Sequence, residues 1–383
     1  MIDSLGASGA EHSTAAVMPL LRARGHQVAA ATLYDAGFGD EERLRDDGFA
    51  VQPLRAARFV GRVRELRARI RTERPDVVHS TLFTADMVGR LAAWRTDAKV
   101  VSSLVNTTYD PARRSDPHVR RWKLRAVQLL DSISGRLLVD RFHAVSEGVA
   151  DTNARDLRVP RSRIEVVHRG RSREHLGHWS PERRAGVRRS LGVADDVQLV
   201  LAVGRQEHQK AHVDLVAAAG LLAAGGSRVS VLVAGREGNA TTRLHDALEL
   251  DAAAAAVVTL LGHRHDVPDL LCAADVLAIP SLYEGTAGVA LEAMALRCPV
   301  VCTDLDGVRG VLADDVNALL VPVGDPRAMA DALRAVLGDG ELAERLRDTG
   351  LADFDARFTI HVAAAAMEAF YERVVSGDLS RST

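Results

Sequence analysis

The chain has 383 residues, 47% of them apolar and 26% charged, and a formal net charge of −2. That length exceeds what one hydrophobic core usually serves, so two domains are expected of an otherwise ordinary globular composition. No apolar run reaches the roughly 18 residues of a membrane span, the start does not read as a secretory signal, and Cys272, Cys298 and Cys302 are too few for a disulfide framework; a reduced, cytoplasmic protein without a nucleic-acid partner is the expectation.

From the N-terminus, MIDSLGASGAEHS (1–13) reads as the end of a strand, a glycine-bearing loop and the entry to a helix over 10–24. Only about four residues remain for a strand that sits mid-sheet in such folds, so the reading frame is expected to begin further upstream. An intact-mass measurement placing the native N-terminus at Met1 would overturn that. Strand-like runs follow at QVAAATL (27–33), DVVHST (76–81), KVVSSLV (99–105) and RFHAVS (141–146), alternating with helical stretches such as 56–74 and 118–133. Beyond the polar RGRSREHLGHWSPERR (169–184), the expected linker, come LVLAVG (199–204), VSVLVAG (229–235), VVTLLG (257–262), VLAIPS (276–281), PVVCTD (299–304) and ALLVPV (318–323). Short, continuously apolar strands separated by helices mean parallel sheets covered on both faces. Each half therefore predicts a doubly wound α/β domain, with ligands beyond the carboxyl ends of its strands.

Charge divides along the same line: residues 1–180 carry 30 Lys and Arg against 22 Asp and Glu, whereas residues 181–383 carry 19 against 29. Only Lys99, Lys123 and Lys210 among the 49 basic residues are lysine, a skew that fits a GC-rich coding background and makes each lysine worth inspection.

In GRQEHQK (204–210), Arg205 and Lys210 follow a buried strand and precede a helix. A strand's carboxyl end beside a positive helix terminus suits a phosphate; a surface pair of cations is the alternative. In PSLYEGTAGVALEAMALRCPVV (280–301), a strand ends at Ser281, a loop holds Glu284 and Gly285, and a helix starts near Gly288 with Leu291, Met294 and Ala295 facing the core. Gly288 and Glu292 share a face beside that stripe, and Gly288 lets a ligand approach the first-turn amides. A carboxylate aimed at phosphate is repelled, so Glu284 and Glu292 read as acceptors for hydroxyl groups flanking a diphosphate, a ribose at one end and a sugar at the other. Other readings stay open: a dipole-complementing acid for Glu292, a solvated loop residue for Glu284, or a glycosidase-like acid and nucleophile pair.

Together with GREGNAT (235–241) and LLGHRHDVPDLLCAADVLAIPSLYEGTAGVALEAMA (260–295), these segments resemble the retaining family-4 (group 1) glycosyltransferases of the GT-B fold. The hallmark of that family, two glutamates with seven residues between them, is here Glu284 and Glu292. SLGASGAE (4–11), DVVHST, HAVSEGVAD (143–151) and FTIHVAAAAMEAFYERVV (358–375) also fall in family order. The resemblance implies two Rossmann-like α/β domains with an interdomain cleft: 1–172 on the acceptor side, 173–356 holding the nucleotide sugar, and 357–383 as a helix crossing back to the first domain. It implies a metal-independent, retaining transferase that needs no cofactor beyond its nucleotide-diphosphate-sugar co-substrate and delivers the sugar to a hydroxyl acceptor.

The same resemblance implies roles. Arg205 and Lys210 would bind the donor diphosphate and offset the leaving group's charge, and Glu284 would touch the reacting sugar. Glu292 would hold the ribose; Gly204, Gly285 and the amides of Ala287, Gly288 and Val289 would line the phosphates; His263 and Arg264 would face the base; the loop from Gly6 to Gly9 would close over the donor. Several positions depart from the family pattern. Val105-Asn106 stands where many members carry a histidine, leaving a sugar contact vacant or to Asn106; Arg169-Gly170 replaces Asn-Gly, Gly310 replaces an acid, and EGTAG replaces EGFG. Asp304-Leu-Asp306 reads as turn chemistry rather than a metal site. A nucleotide-sugar epimerase of similar architecture and a non-catalytic nucleotide-sugar-binding protein are the rival readings. Finally, the basic stretches 55–74 and 111–130, the second interleaving Trp122, Leu124 and Leu130 with arginines, fit either a peripheral contact with the inner membrane face or solvated helix faces.

Overall fold

Strands form at each of the ten apolar runs that predicted them, and two more form elsewhere. The computed structural model describes residues 1–6, 9–37 and 39–377. In chain order the strands are β1 (Ala29–Thr32), β2 (Ala50–Pro53), β3 (Val77–Thr81), β4 (Lys99–Leu104), β5 (Arg141–Ala144), β6 (Ile164–Val166), β7 (Gln198–Val203), β8 (Val229–Ala234), β9 (Val258–Gly262), β10 (Val276–Ile279), β11 (Val300–Thr303) and β12 (Leu319–Val321). They divide between two units, one built from Met1–Tyr109, Arg120–Ser172 and the chain from Thr359, the other from Asp110–Val119 and Arg173–Phe358. The two doubly wound α/β domains expected from the sequence are thus present.

In the first unit β1 pairs β2, and β3, β4, β5 and β6 pair in order, all parallel. Ile2 joins the two sets, bridging Thr32 on one side and Thr81 on the other. Its amide donates to the Ala31 carbonyl at 3.1 Å, and the Thr81 amide donates to the Met1 carbonyl at 3.0 Å. The mid-sheet strand read into MIDS is therefore one bridging residue. β2 and β6 escaped the sequence reading because they are edge strands of four and three residues interrupted by Gln52 and Glu165.

Two polar networks run through this sheet. On one face Arg90, 1% exposed, donates to Asp131 Oδ1 at 2.6 Å, Ser134 Oγ at 2.8 Å and Ser102 Oγ at 3.0 Å. Ser80 Oγ donates to Asp86 at 2.6 Å and Tyr109 OH to Asp131 Oδ2 at 2.7 Å. On the other face the proton positions follow from one end. The His143 Nε2 must donate to the Val167 carbonyl at 3.0 Å, because a carbonyl only accepts. Burial pushes the His143 pKa down to about 4, so the ring is neutral and its Nδ1 accepts from Ser103 Oγ at 2.8 Å. Ser103 then accepts from His79 Nε2 at 2.7 Å, and His79 Nδ1 accepts from Tyr371 OH at 2.6 Å. Tyr371 lies on the last helix, Ile360–Ser376, which lays Ile360, Ala363, Ala364, Met367, Phe370 and Val374 on the unit. A Cβ on Gly170 would stand 2.6 Å from the Ile360 Cα, so only glycine admits that helix start. Of the expected 357–383 segment, residues 378–383 lie outside the described residues.

The second sheet runs β12-β11-β10-β7-β8-β9, all parallel. Chain order turns outward in both directions from the β7–β10 pair, so the switch point, where a ligand crevice is expected, lies between those strands. Side chains alternate cleanly: Leu199, Leu201, Leu277 and Ile279 pack under helices Val267–Ala273 and Gly288–Ala295. Val200, Ala202, Val276 and Ala278 pack under His212–Ala224 and Pro326–Gly338. Each buried leucine stabilises by about 1.5–3 kcal/mol, which fixes the strand ends that carry the site.

Candidate active site at the ends of β7 and β10

At the carboxyl end of β7, Gly204 admits the Lys210 stem: a Cβ there would lie 3.1 Å from Lys210 Cδ. His208–Lys210 makes one 3₁₀ turn, Ala211 takes a left-handed φ of 45°, and helix His212–Ala224 begins with no side-chain cap. Lys210 Nζ then donates to Glu284 Oε1 at 2.5 Å, and Ser281 Oγ donates to the same oxygen at 2.7 Å. Ser281 lies two residues beyond β10; its carbonyl accepts from Thr303 Oγ1, at the end of β11, at 2.6 Å. Gln209 secures the loop, accepting from the Leu282 amide at 2.8 Å and donating to the Tyr283 carbonyl at 2.8 Å.

The pair is held tightly. The Glu284 side chain is 7% exposed and that of Lys210 26%, and a buried carboxylate without a cation or donors would be costly. A Cβ on Gly307 would lie 1.8 Å from the Glu284 carbonyl oxygen, so the turn after β11 can press on the loop only as glycine. Asp304 and Asp306 of that turn face Arg309 at 4.0 and 3.0 Å.

Beyond Glu284, Gly285 is buried and Ala287 adopts φ 45° before helix Gly288–Ala295, which also lacks a side-chain cap. Leu291, Met294 and Ala295 are buried as expected, while Gly288, Val289 and Glu292 stay partly exposed. Two helix N-termini therefore open without side-chain caps at neighbouring strand ends, beside one lysine. Orphan amides, two positive dipole ends and a cation favour an anion.

Arg205 is set apart from this pair, with its side chain 55% exposed and bonded to Glu207 at 2.7 Å. His263 and Arg264 follow β9, two strands beyond β7, which at the usual strand spacing is roughly 10 Å away. Arg264 grips Asp266 through two bonds of 2.8 and 2.5 Å, which raise its own pKa and lower that of the aspartate. Gly6, Gly9 and Asn106 belong to the first unit. Gly9 starts helix Gly9–Ala23, the Gly6 carbonyl lies 2.9 Å from where a Cβ on Gly39 would be, and Ala7 and Ser8 of the 4–11 loop lie outside the described residues. Asn106 Oδ1 accepts from the Thr107 amide at 2.8 Å.

Sequence reasoning missed Ser281, Thr303, Gln209 and Gly307. A signal existed for two of them, since Ser281 and Thr303 are polar residues closing apolar strands. It also missed the buried side-chain atoms of the second unit that have no hydrogen-bond partner among the described residues: Gln206 Oε1, His212 Nδ1 and Thr286 Oγ1. Burial, then the Lys210 cation, lower the His212 pKa to about 4, so that ring is neutral.

Known proteins resemble this chain in sequence and fold. The family model for Glycosyltransferase Family 4 matches residues 7–175 and that for Glycosyl transferases group 1 matches 197–339. The chain is 30% identical to the 2-deoxystreptamine N-acetyl-D-glucosaminyltransferase of Streptomyces fradiae, over 78% of this chain and 71% of that protein. It is 32% identical to the D-inositol 3-phosphate glycosyltransferase of Geodermatophilus obscurus, over 80% and 70%. In fold it is similar to the sucrose-phosphate synthase of Thermosynechococcus elongatus, with TM-score 0.84, 20% identity and 98% of each chain covered. Anabaena HepE in complex with UDP and glucose gives TM-score 0.82 at 19% identity, covering 97% of this chain and 98% of that one. Two parallel-sheet units, a lysine-bound glutamate at the switch point and relatives of this length and identity place the chain in one family: it belongs to the group 1, family-4 glycosyltransferases of the GT-B fold.

Proposed function

We propose that the protein transfers a sugar from a nucleoside-diphosphate sugar to a hydroxyl acceptor with retention at the anomeric carbon and without a metal ion. The observation that carries this is the Lys210–Glu284 pair between two uncapped helix N-termini. In this reading the anomeric carbon–oxygen bond to the diphosphate breaks, the acceptor oxygen bonds to the same face, and the acceptor's proton passes to the departing phosphate. The leaving diphosphate gains negative charge as the bond breaks, so fixed positive charge aimed at it acts mainly in the transition state. Lys210 bridges Glu284 and the distal phosphate, the Ala287–Val289 segment presents its amides, and Glu284 accepts from a sugar hydroxyl. Glu292, one turn into the helix, accepts from the ribose, and the backbone at His263 and Arg264 borders the base. Arg205, exposed and bonded to Glu207, exchanges that carboxylate for the diphosphate.

Two relatives whose names specify 2-deoxystreptamine and inositol 3-phosphate make a hydroxylated six-membered carbocycle the first acceptor to try, and the UDP in the complex of a similar fold makes UDP-sugars the first donors. The test is incubation of a nucleotide-sugar panel with EDTA present, followed by product anomer analysis. Slow donor hydrolysis, and transfer with retained anomeric configuration once an acceptor is added, are expected. An inverted product, or turnover that EDTA abolishes, would overturn the corresponding part of the proposal; epimer formation without an acceptor would replace it by an isomerase.

A further inference from the structure

The helix Arg121–Leu138 in the first unit is built inside out. Its buried residues are Asp131, Ser132, Ser134 and Gly135, the first of which binds Arg90 at 2.6 Å. Its large exposed side chains are Trp122, Leu129, Leu130, Ile133 and Leu137, at 66, 61, 52, 47 and 75% exposure. With exposed Ala126 they recur at three- and four-residue steps and so form one stripe along a helix about 27 Å long. Single exposed leucines are ordinary, but a contiguous apolar stripe on a helix that turns its aspartate and serines to the core marks an interaction surface.

The flanks of the stripe identify the occupant. Helical spacing puts Lys123 along one edge and Arg125 and Arg136 along the other. The helix carries a single acid, Asp131, and it is buried. Arg121, Arg125 and Arg136 have no ion-pair partner among the described residues. The other arginine-rich helix of this unit, Phe59–Glu73, engages part of its charge within the fold: Arg67 donates to the Leu91 and Ala92 carbonyls and Arg69 binds Glu65 at 2.6 Å. A two-fold pairing of copies across the Trp122 stripe would set basic edge near basic edge, which repels. A bilayer with anionic headgroups satisfies both features at once, since the stripe enters the boundary between headgroups and acyl chains while the cations meet lipid phosphates.

We propose that the outer face of helix Arg121–Leu138 is the surface by which this protein docks on an anionic membrane. The docking does not depend on the transfer chemistry proposed above. The test is flotation of the full chain with phosphatidylcholine vesicles, with and without phosphatidylglycerol, at low and moderate salt, alongside sedimentation without lipid. Wild type is expected to float with the anionic vesicles only, more weakly as salt rises, with a blue shift of tryptophan emission that Trp122→Phe reduces. L129S/L137S, changes at exposed positions, is expected to lower partitioning at least tenfold with unchanged circular dichroism and melting temperature, and R125E/R136E to lower it similarly. Failure of the wild type to float, or flotation indifferent to L129S/L137S, overturns the proposal. A lipid-free dimer that L129S/L137S dissociates, without vesicle binding by the wild type, overturns it in favour of a second copy.

Discussion

The two sheets share one architecture and fill it differently. In the second unit the buried strand positions are apolar except Thr303 at a tip, and the polar chemistry of the site gathers at the strand ends, at Ser281, Glu284, Thr303 and Lys210. In the first unit polar side chains run through the middle of the sheet on both faces, Ser80 and Ser102 towards Arg90 and Asp86, His79, Ser103 and His143 towards Tyr371. Where a site must be positioned, a dry sheet supplies rigid strand ends; where helices must be oriented, hydrogen bonds of fixed direction set their rotation. The difference predicts that substitutions in the first unit act on stability and those at the tips of the second act on rate.

The largest effect is expected from Arg90→Ala, which leaves Asp131 buried without its cation. Urea denaturation followed by tryptophan fluorescence is expected to register a loss of about 3–5 kcal/mol, and a loss under 1 kcal/mol would show that the network contributes little. Lys210→Ala and Glu284→Gln come next. Turnover is expected to fall roughly a hundred- to thousandfold, about 2.7–4 kcal/mol in the barrier, with circular dichroism showing the fold intact. Full activity in either variant removes that residue from the mechanism.

The two networks of the first unit also titrate in opposite directions. Burial holds His79 well below its ordinary pKa and His143 at about 4, so the unfolded chain takes up protons that the folded chain refuses, and stability falls as pH drops from about 6.5 towards 4. Asp86 is pushed up to about 6 by burial, so the folded chain takes a proton before the unfolded one does and gains stability as pH drops from about 6 towards 4. The slopes oppose, and Asp86→Asn is expected to steepen the acid-side loss between pH 6.5 and 4. Urea midpoints in a Trp179→Phe background, where Trp94 and Trp122 of the first unit report, measure it; curves parallel to the parent would mean that Asp86 holds no extra proton. The smallest effect is expected from Tyr371→Phe. It strands the His79 Nδ1 acceptor and costs about 1–3 kcal/mol, with transferase turnover unchanged.

Local patterns were legible and non-local pairings were not. The strand runs, the helix start near Gly288 and the stripe Leu291, Met294, Ala295 all follow from periodicity within a few residues. The bond between Lys210 and Glu284 joins residues 74 positions apart, and nothing in either segment alone announces it. The reading of 111–130 grouped Trp122, Leu124 and Leu130, yet Leu124 packs against the core while the other two face outward. The rotation of that helix is set by Arg90 reaching Asp131 from another helix, and an apolar pattern cannot reveal a turn imposed by a buried ion pair. Arg205 and Lys210, alike in sequence, separate because Glu207 is close enough to take one and Glu284 the other.

The chain leaves the first unit at Ser172 and returns to it at Thr359, and the order of synthesis follows from that path. On the ribosome the second unit emerges complete while the sheet face bearing His79, Ser103 and His143 still lacks Tyr371 and the helix that covers it. The nascent first unit must carry three uncovered polar side chains among apolar neighbours until the segment around Phe370 has left the exit tunnel. The N-terminal half is thus the last to finish, the reverse of the usual vectorial order.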